Sequence, residues 1–212
     1  MEDIYLKVYL TRHGLTEWNE EKRMHGHTNS NLTPQGIEGA KNLGIRLKDI
    51  KFDCIYSSPL GRALDTAKYI RSNRDIRIIT SDSLKEINFG EWEGMLEEDV
   101  KKNTPIQFYN LLNKPELFKP VEGGEQIEDV IERVKEWFLE IVEKNAHYDN
   151  ILIVTHGVVK RAFYAFLKNN KIENFWDDPQ ISNTSLTIIE VNGENIEFIL
   201  EADTSHLNTS FV

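Results

Sequence analysis

The run Ile151–Thr155 (ILIVT) constrains the fold more than any other segment of the chain. Its four consecutive aliphatic residues leave no polar face, so the strand that they form must be buried on both sides. A strand covered on both faces is typical of a parallel sheet that lies between two layers of helices. The helix expected next, over 158–167, is itself largely apolar and suits one of those layers.

Strand and helix patterns alternate along most of the remaining chain. The expected strands are 4–12, 54–57, 76–80, 184–191 and 196–200, the last two joined by a turn at 192–195. The expected helices begin at Thr33-Pro34 or span 60–70 and 126–145. We therefore expect a single α/β domain over 1–212, a three-layer α/β/α sandwich with a mostly parallel central sheet.

The stretch 96–120 breaks this alternation. It contains three prolines, Pro105, Pro115 and Pro120, and its apolar residues follow no long regular pattern. We expect a helical insertion that covers the functional site.

Charge and cysteine content limit the partners and the compartment. The net charge of −10 disfavours binding to nucleic acid or to an anionic membrane. No apolar stretch approaches the ~20 residues that span a bilayer. The acidic start, Met1–Ile4, does not resemble a signal peptide, and the single cysteine, Cys54, has no partner for an internal disulfide. These features predict a cytoplasmic protein.

Two expected strands end in the same dipeptide, His13-Gly14 and His156-Gly157. Ligands of open α/β sheets bind at the carboxyl ends of strands, so both imidazoles are expected at the functional edge. One such histidine alone would indicate a hydrogen-bonded structural residue. Two of them, one preceded by Arg12, favour catalysis. Arg62 follows another strand end and can reach the same edge, although its spacing fits a solvated helix arginine equally well.

These residue types suit phosphoryl transfer. The planar guanidinium of arginine binds phosphate oxygens through two parallel hydrogen bonds. A neutral imidazole is available near pH 7 and can accept the phosphoryl group covalently. The sequence therefore predicts that His13 attacks phosphorus while arginine binds the equatorial oxygens.

Five elements, in order, resemble the histidine phosphatase superfamily, which includes cofactor-dependent phosphoglycerate mutase. They are Arg12-His13-Gly14 followed by Thr16–Asn19, then Leu32–Gly36, Ser57–Ala63, Leu84–Gly94 and Val154–Val159. The resemblance covers nearly the whole chain and implies a phosphoglycerate mutase-like fold. Within the family, the chain is most similar to bacterial broad-specificity phosphatases.

The resemblance also implies roles for individual residues. His13 would be phosphorylated, while Arg12, Arg62 and His156 bind the phosphoryl oxygens. Glu86 would protonate the leaving alkoxide and later activate water. A carboxyl among apolar neighbours can stay protonated near neutrality, which agrees with that role. His156 is expected as the cationic partner of a neutral His13.

Four further residues are expected to bind substrate or phosphate: Asn19, His25, Gly26 and Gly157. At His25 the chain departs from its relatives, which carry a glutamine that reaches toward substrate. His25 would bring a positive charge below pH ~6.5 and bias substrate choice, with an exposed loop histidine as the equal alternative. His206, in the tail, is expected at the surface.

The expected activity is hydrolysis of small phosphorylated metabolites by a broad-specificity phosphatase, with release of inorganic phosphate and without a metal or cofactor. The alternatives are a phosphoglycerate mutase, an α-ribazole phosphatase and a non-catalytic phospho-ligand sensor. A mutase is disfavoured because 103–120 contains no arginine, although Lys101 and Lys102 keep it open. A sensor is disfavoured because His13, Glu86 and His156 are all present. The physiological substrate and the oligomeric state are left open.

Overall fold

A computed structural model describes residues 5–177, 179–193 and 195–207. Its strands are β1 (Tyr5–Arg12), β2 (Cys54–Ser57), β3 (Ile78–Thr80), β4 (Asn150–Thr155), β5 (Leu186–Asn192) and β6 (Asn195–Asp203). Its α-helices are α1 (Glu17–Glu20), α2 (Pro34–Arg46), α3 (Gly61–Arg71), α4 (Glu97–Asn103), α5 (Pro105–Asn113), α6 (Ile127–Lys144) and α7 (Gly157–Leu167).

The strands form one sheet in the order β3-β2-β4-β1-β5-β6. The first four are mutually parallel. β5 runs antiparallel to β1, and β6 runs antiparallel to β5 and so in the direction of the first four. The apolar run expected to be the central strand lies in β4, between β2 and β1, and its residues Ile151 and Val154 are fully buried.

Alternate residues of β1 supply the two halves of the core. Leu6, Val8 and Leu10 belong to the apolar cluster that contains the buried residues of α6 and α7. Tyr9 points the other way, into a second cluster with Leu43 of α2 and other residues of α2 and α3. Helices therefore cover both faces of the sheet, which confirms the expected three-layer sandwich.

Two strands begin two residues later than the sequence predicts, for identifiable reasons, and β6 ends at Asp203, three residues later than expected. β3 begins at Ile78 because the backbone N–H of Ile76 donates to the carbonyl of Arg74 within a turn. That N–H is therefore not available for pairing with β2. β5 begins at Leu186 because Thr184 has a φ of +53°, outside the strand region. Two expected positions, Ile4 of the first strand and Glu194 of the hairpin turn, lie outside the described residues.

The irregular stretch 96–120 forms α4, α5 and a short 3₁₀ turn at Pro115–Leu117. Its prolines open helices: Pro105 and Pro115 each occupy a first-turn position, where the missing N–H costs nothing. Val100, Leu111 and Phe118 attach the segment to the main core. Within the described residues, no helix has the length and apolar character needed to cross a membrane.

Truncation of the central strand tests this core. We expect Ile153→Ala to lower the free energy of unfolding by about 2–5 kcal/mol, because it removes fully buried methyl groups and leaves a cavity. Leu139→Ala is the matched control, since Leu139 is exposed on α6, and its effect should stay within about 0.5 kcal/mol. Equal losses in urea denaturation of the two variants would contradict this assignment of the core.

Candidate active site

The carboxyl ends of β1, β4 and β2 lie side by side and bring the candidate residues together. Arg12 pairs with Thr155 in the sheet, and the backbone N–H of His13 donates to the Thr155 carbonyl over 2.8 Å. His156 follows directly, and its ring centroid lies 5.2 Å from that of His13. The two His-Gly segments thus meet at one edge of the sheet, as the spacing predicted.

The backbone fixes the tautomer of His13. Its Nδ1 lies 2.8 Å from the carbonyl oxygen of Gly14, which can only accept, so Nδ1 carries the proton. Nε2 is then left with a free lone pair. Burial, reinforced by the positive charges of Arg62 and Arg12, lowers the pKa of His13 well below its usual value. The residue is therefore a neutral imidazole, the form that a nucleophile requires.

His156 lies beside it and is also neutral. Its Nε2 lies 2.8 Å from the hydroxyl oxygen of Ser58, and its Nδ1 is buried without a protein partner. Burial and the charge of Arg62 lower the pKa of His156 well below its usual value. The expectation of a cationic His156 was wrong, because a dry pocket with two guanidinium groups disfavours a third positive charge.

Two arginines place positive charge beside the histidines: Arg62 is buried, and Arg12 is half-buried and lines the cavity. Arg62 is only 1% exposed, so the alternative of a solvated helix arginine was wrong. Its guanidinium donates to the carbonyls of Gly26 and Thr28 over 2.6 and 2.9 Å. Arg12 donates to the carbonyl of Ile181 over 2.9 Å. The Nε atoms of both arginines are buried and unpartnered, and neither guanidinium forms an ion pair with a described residue.

Burial lowers the pKa of both arginines, and the charge of Glu86 acts against this shift. Burial lowers the pKa of Arg62 to about 10, which still leaves it cationic at neutral pH. Buried cations without an anionic partner are costly and mark a place where an anion binds.

Glu86 is buried and held by backbone donors at the start of α7. Its Oε1 accepts the N–H groups of Ile87 and Val159 over 3.0 and 3.3 Å, and its Oε2 accepts that of Val158 over 3.2 Å. A methyl group at Gly157 would lie 3.7 Å from Oε2 of Glu86 and 3.6 Å from Nε of Arg12. Glycine at 157 therefore keeps open the space between the carboxylate and the arginine.

His25 is buried, with 9% of its surface exposed, which rules out the exposed-loop alternative. Its ring centroid lies 5.9 Å from that of His13, and its Nε2 lies 3.3 Å from the hydroxyl oxygen of Thr16. Burial and the charge of Arg62 lower the pKa of His25 to about 4. The expected charge below pH ~6.5 was therefore wrong, and His25 is a neutral polar group.

Asn19 and Gly26 occupy different positions relative to the site. The Oδ1 atom of Asn19 accepts hydrogen bonds from Thr16 and from the side chain of Asn183, which leaves Nδ2 for a ligand. Gly26 acts instead through Arg62, to which its carbonyl is bonded. A Cβ atom at position 26 would lie 2.2 Å from the carbonyl oxygen of Ile87. This distance is too short for a side chain, so only glycine fits at this position.

These groups open onto a cavity of about 360 Å³. Arg12, His13, Asn19, His25, Glu86 and Gly157 line its inner end. The segment 96–120 contributes Glu97, Phe108, Leu111 and Leu112 to its wall, and other lining residues are Arg23, Met24, Phe89, Val158, Arg161, Trp176, Gln180 and Ile181. Arg62 and His156 lie behind this surface.

Several residues that line the cavity were not identified from the sequence. Arg161 lies on α7 five residues after His156, a spacing that could have suggested it. Trp176 offers no such signal. It approaches from the loop after α7, and its ring centroid lies 5.8 Å from the Arg161 guanidinium.

His206 does not line this cavity, and its Nε2 lies 3.4 Å from the hydroxyl oxygen of Thr184. Among the described residues, no three His, Cys, Asp or Glu side chains are grouped to hold a metal ion.

The lowered pKa of His25 predicts a pH-dependent stability. Between pH 6.5 and 4 the unfolded chain binds a proton at this residue that the folded chain excludes, so the free energy of unfolding falls as the pH falls through that window. His25→Gln should reduce the slope by up to about 1.4 kcal/mol per pH unit. Urea denaturation at pH 7, 6 and 5 measures it, and an unchanged slope would show that His25 titrates normally.

Comparison with known proteins agrees with this geometry. A family model described as the histidine phosphatase superfamily (branch 1) matches residues 8–204. Phosphoserine phosphatase 1 of Hydrogenobacter thermophilus is 34% identical over 208 residues, which cover 98% of this chain and 97% of that protein.

Two solved structures are also close in fold. Bacillus stearothermophilus YhfR superposes with a TM-score of 0.93 at 39% identity, covering 96% of this chain and 100% of that one. Phosphoserine phosphatase of Entamoeba histolytica, in complex with 3-phosphoglyceric acid, superposes with a TM-score of 0.84 at 30% identity and the same coverage. The match over nearly the whole sequence, together with these shared folds, shows that the chain belongs to the histidine phosphatase superfamily.

Proposed function

We propose that the chain is a metal-independent phosphatase that hydrolyses small phosphate monoesters through a phosphohistidine at His13. One observation carries the proposal: a neutral imidazole with a free Nε2 lies beside two buried guanidinium groups that have no carboxylate partner. Such an arrangement attracts a phosphate dianion and presents a nucleophile to it.

The first half-reaction transfers the phosphoryl group to the enzyme. Nε2 of His13 attacks phosphorus, the bond to the ester oxygen breaks, and Glu86 donates a proton to the leaving alkoxide. Arg12, Arg62, His156 and Asn19 bind the non-bridging oxygens. Because Nδ1 of His13 is bonded to the carbonyl of Gly14, the imidazole stays oriented as it gains the phosphoryl group.

The second half-reaction returns the enzyme to its starting state. Glu86 removes a proton from a water molecule, whose oxygen attacks phosphorus as the bond to Nε2 breaks. Inorganic phosphate leaves, and the proton on Glu86 is the one needed for the next leaving group. The three backbone N–H groups that bind this carboxyl keep it in place through both halves.

The shape of the cavity indicates the class of leaving group. About 360 Å³ suits a small metabolite. The wall supplied by Phe108, Leu111 and Leu112 is apolar, while Arg23 and Glu97 bring charges of both signs to the lining. A small amphoteric alcohol fits this mixture, so phosphoserine, on which relatives are named to act, is our leading candidate within a broad range.

A mutase is less well supported. It must hold a doubly anionic phosphoglycerate, yet the lining residues described from 96–120 include no lysine or arginine. Lys101 does not line this cavity; it lines an adjoining one that shares Glu97, Phe108 and Leu112 with it. The apolar wall favours water as the acceptor of the phosphoryl group.

We also propose that 96–120 serves as the cover of the site within a single domain, and that the protein acts in the reducing cytoplasm. Cys54, free and buried in β2, is compatible with that compartment.

Removal of the nucleophile is the first test. With p-nitrophenyl phosphate and a chelator present, we expect turnover by the parent protein and none by His13→Ala. His147→Ala is the matched control, because His147 is exposed and does not line the cavity, and it should retain full activity. Full turnover in His13→Ala, or no turnover in the parent protein, would overturn the proposal.

Substitution of Glu86 separates the two half-reactions. Glu86→Gln should lower the rate with an alkyl phosphate on the order of 10²–10⁴-fold, because an alkoxide needs a proton to leave. With p-nitrophenyl phosphate the rate of the phosphorylation step should fall less, because its leaving group is stable without a proton. An acid-labile phosphate should accumulate on His13, because Glu86 no longer activates water in the second half-reaction. Equal losses with both esters in the rate of the phosphorylation step, measured in a single turnover, would exclude Glu86 as the acid.

A substrate panel distinguishes the remaining alternatives. It comprises phosphoserine, 3-phosphoglycerate and α-ribazole phosphate, with a parallel assay for 2,3-bisphosphoglycerate-stimulated interconversion of the phosphoglycerates. Interconversion faster than hydrolysis would replace the phosphatase with a mutase, and a marked preference for α-ribazole phosphate would narrow the proposed range.

A further inference from the structure

Lys160 is a lysine in the core that the proposed chemistry does not use. It lies on α7, its backbone N–H donates to the carbonyl of His156, and its side chain is 0% exposed. No carboxylate of a described residue lies within ion-pair distance of its amine. Burial of an amine without such a partner is unfavourable, so its presence calls for a reason.

The partners of the amine are both on Ser185. Nζ donates to the carbonyl oxygen over 2.6 Å and to the hydroxyl oxygen over 3.0 Å. Burial, and the nearby charge of Arg12, lower the pKa of Lys160 well below its usual value and so favour the neutral amine. A neutral amine has two N–H groups, which match these two acceptors.

Ser185 ends the segment 181–185, here termed the bracing loop, which touches the catalytic strand end at several points. The carbonyl of Ile181 accepts from the guanidinium of Arg12 over 2.9 Å. The amide of Asn183 donates to the carbonyl of His13 over 3.0 Å. It also reaches Oδ1 of Asn19 at 3.3 Å. The bracing loop thus aligns three groups of the phosphoryl site.

The conformation of the bracing loop is unfavourable on its own. Thr184, next to Ser185, has a φ of +53°, and a β-branched residue pays a steric cost in that region. Its backbone N–H nevertheless donates to the carbonyl of Arg12 over 3.1 Å. Such a residue keeps its conformation only where the surroundings hold it, and Lys160 binds the very next residue.

We propose that Lys160 is a positioning residue of the active site, which holds the bracing loop against Arg12, His13 and Asn19 by fixing Ser185. The inference rests on the proposed function for its kinetic consequences. Its structural part, an effect on the binding of an anion, is independent of turnover.

The test compares Lys160→Met with Lys160→Gln. The methionine side chain is similar in length but has no donor, whereas glutamine retains an N–H group. We expect Lys160→Met to raise KM for p-nitrophenyl phosphate and the inhibition constant of inorganic phosphate by about 10-fold, because the phosphate-binding groups are misplaced. Its Tm should fall by a few degrees, because the buried acceptors of Ser185 lose their donor, and the kinetic constants are compared at a temperature where both proteins are fully folded. Lys160→Gln should recover at least half of the lost affinity.

Two results would overturn the inference: constants for Lys160→Met within twofold of the parent, or a loss of activity that only tracks a loss of folded protein. If Lys160→Met does not fold, Lys160→Leu takes its place, because it also removes the donor of both hydrogen bonds to Ser185 and is a smaller apolar side chain. A raised inhibition constant there supports the inference and an unchanged one refutes it. If the parent protein itself shows no turnover, the proposed function fails, while titration of inorganic phosphate into parent and variant still decides the role of Lys160.

Discussion

The arrangement of the site depends on two arginine charges that form no ion pair with a described residue. Arg12 and Arg62 are held by backbone carbonyls, which orient a guanidinium but do not neutralise it. Burial, reinforced by the same two charges, lowers the pKa of His13 and of His156, so the field that attracts phosphate also helps to keep the nucleophile neutral. A carboxylate placed against either arginine would remove both effects. Glu86 and Glu93, whose charges both raise the pKa of Arg62, instead accept backbone N–H groups, Glu86 those of α7 and Glu93 those of His27 and Thr28.

Much of this could be read from the sequence because it follows from periodicity and from motif order. The apolar run in β4 required burial on both faces, and the His-Gly pairs had to emerge where parallel strands end. The motifs also gave the order in which the nucleophile, the arginines and the acid appear. The meeting of these residues at one edge of the sheet could therefore be predicted without knowledge of side-chain geometry.

What the sequence could not supply was the environment of each group. The neutrality of His156 and the burial of His25 both depend on distances between segments far apart in the chain. The partners of Arg62 come from a loop more than thirty residues earlier, and Trp176 meets Arg161 only because the loop after α7 folds back. The bracing loop is the strongest example. Thr184 has a positive φ, which β-branched residues disfavour, and Lys160 is a buried lysine without a described carboxylate partner, so neither could be predicted from residue preferences.

The wall formed by α4 and α5 is attached in a different manner from the groups it faces. Val100, Leu111 and Phe118 join it to the core through apolar packing, whereas directional hydrogen bonds hold Arg12, Glu86 and the imidazoles. Apolar contacts tolerate changes of shape that conserve volume, and hydrogen-bonded charges do not. Substitutions can therefore drift in the wall, and redirect the enzyme to a new alcohol, while the hydrolytic machinery is inherited unchanged. The two sides of the cavity are free to evolve at different rates.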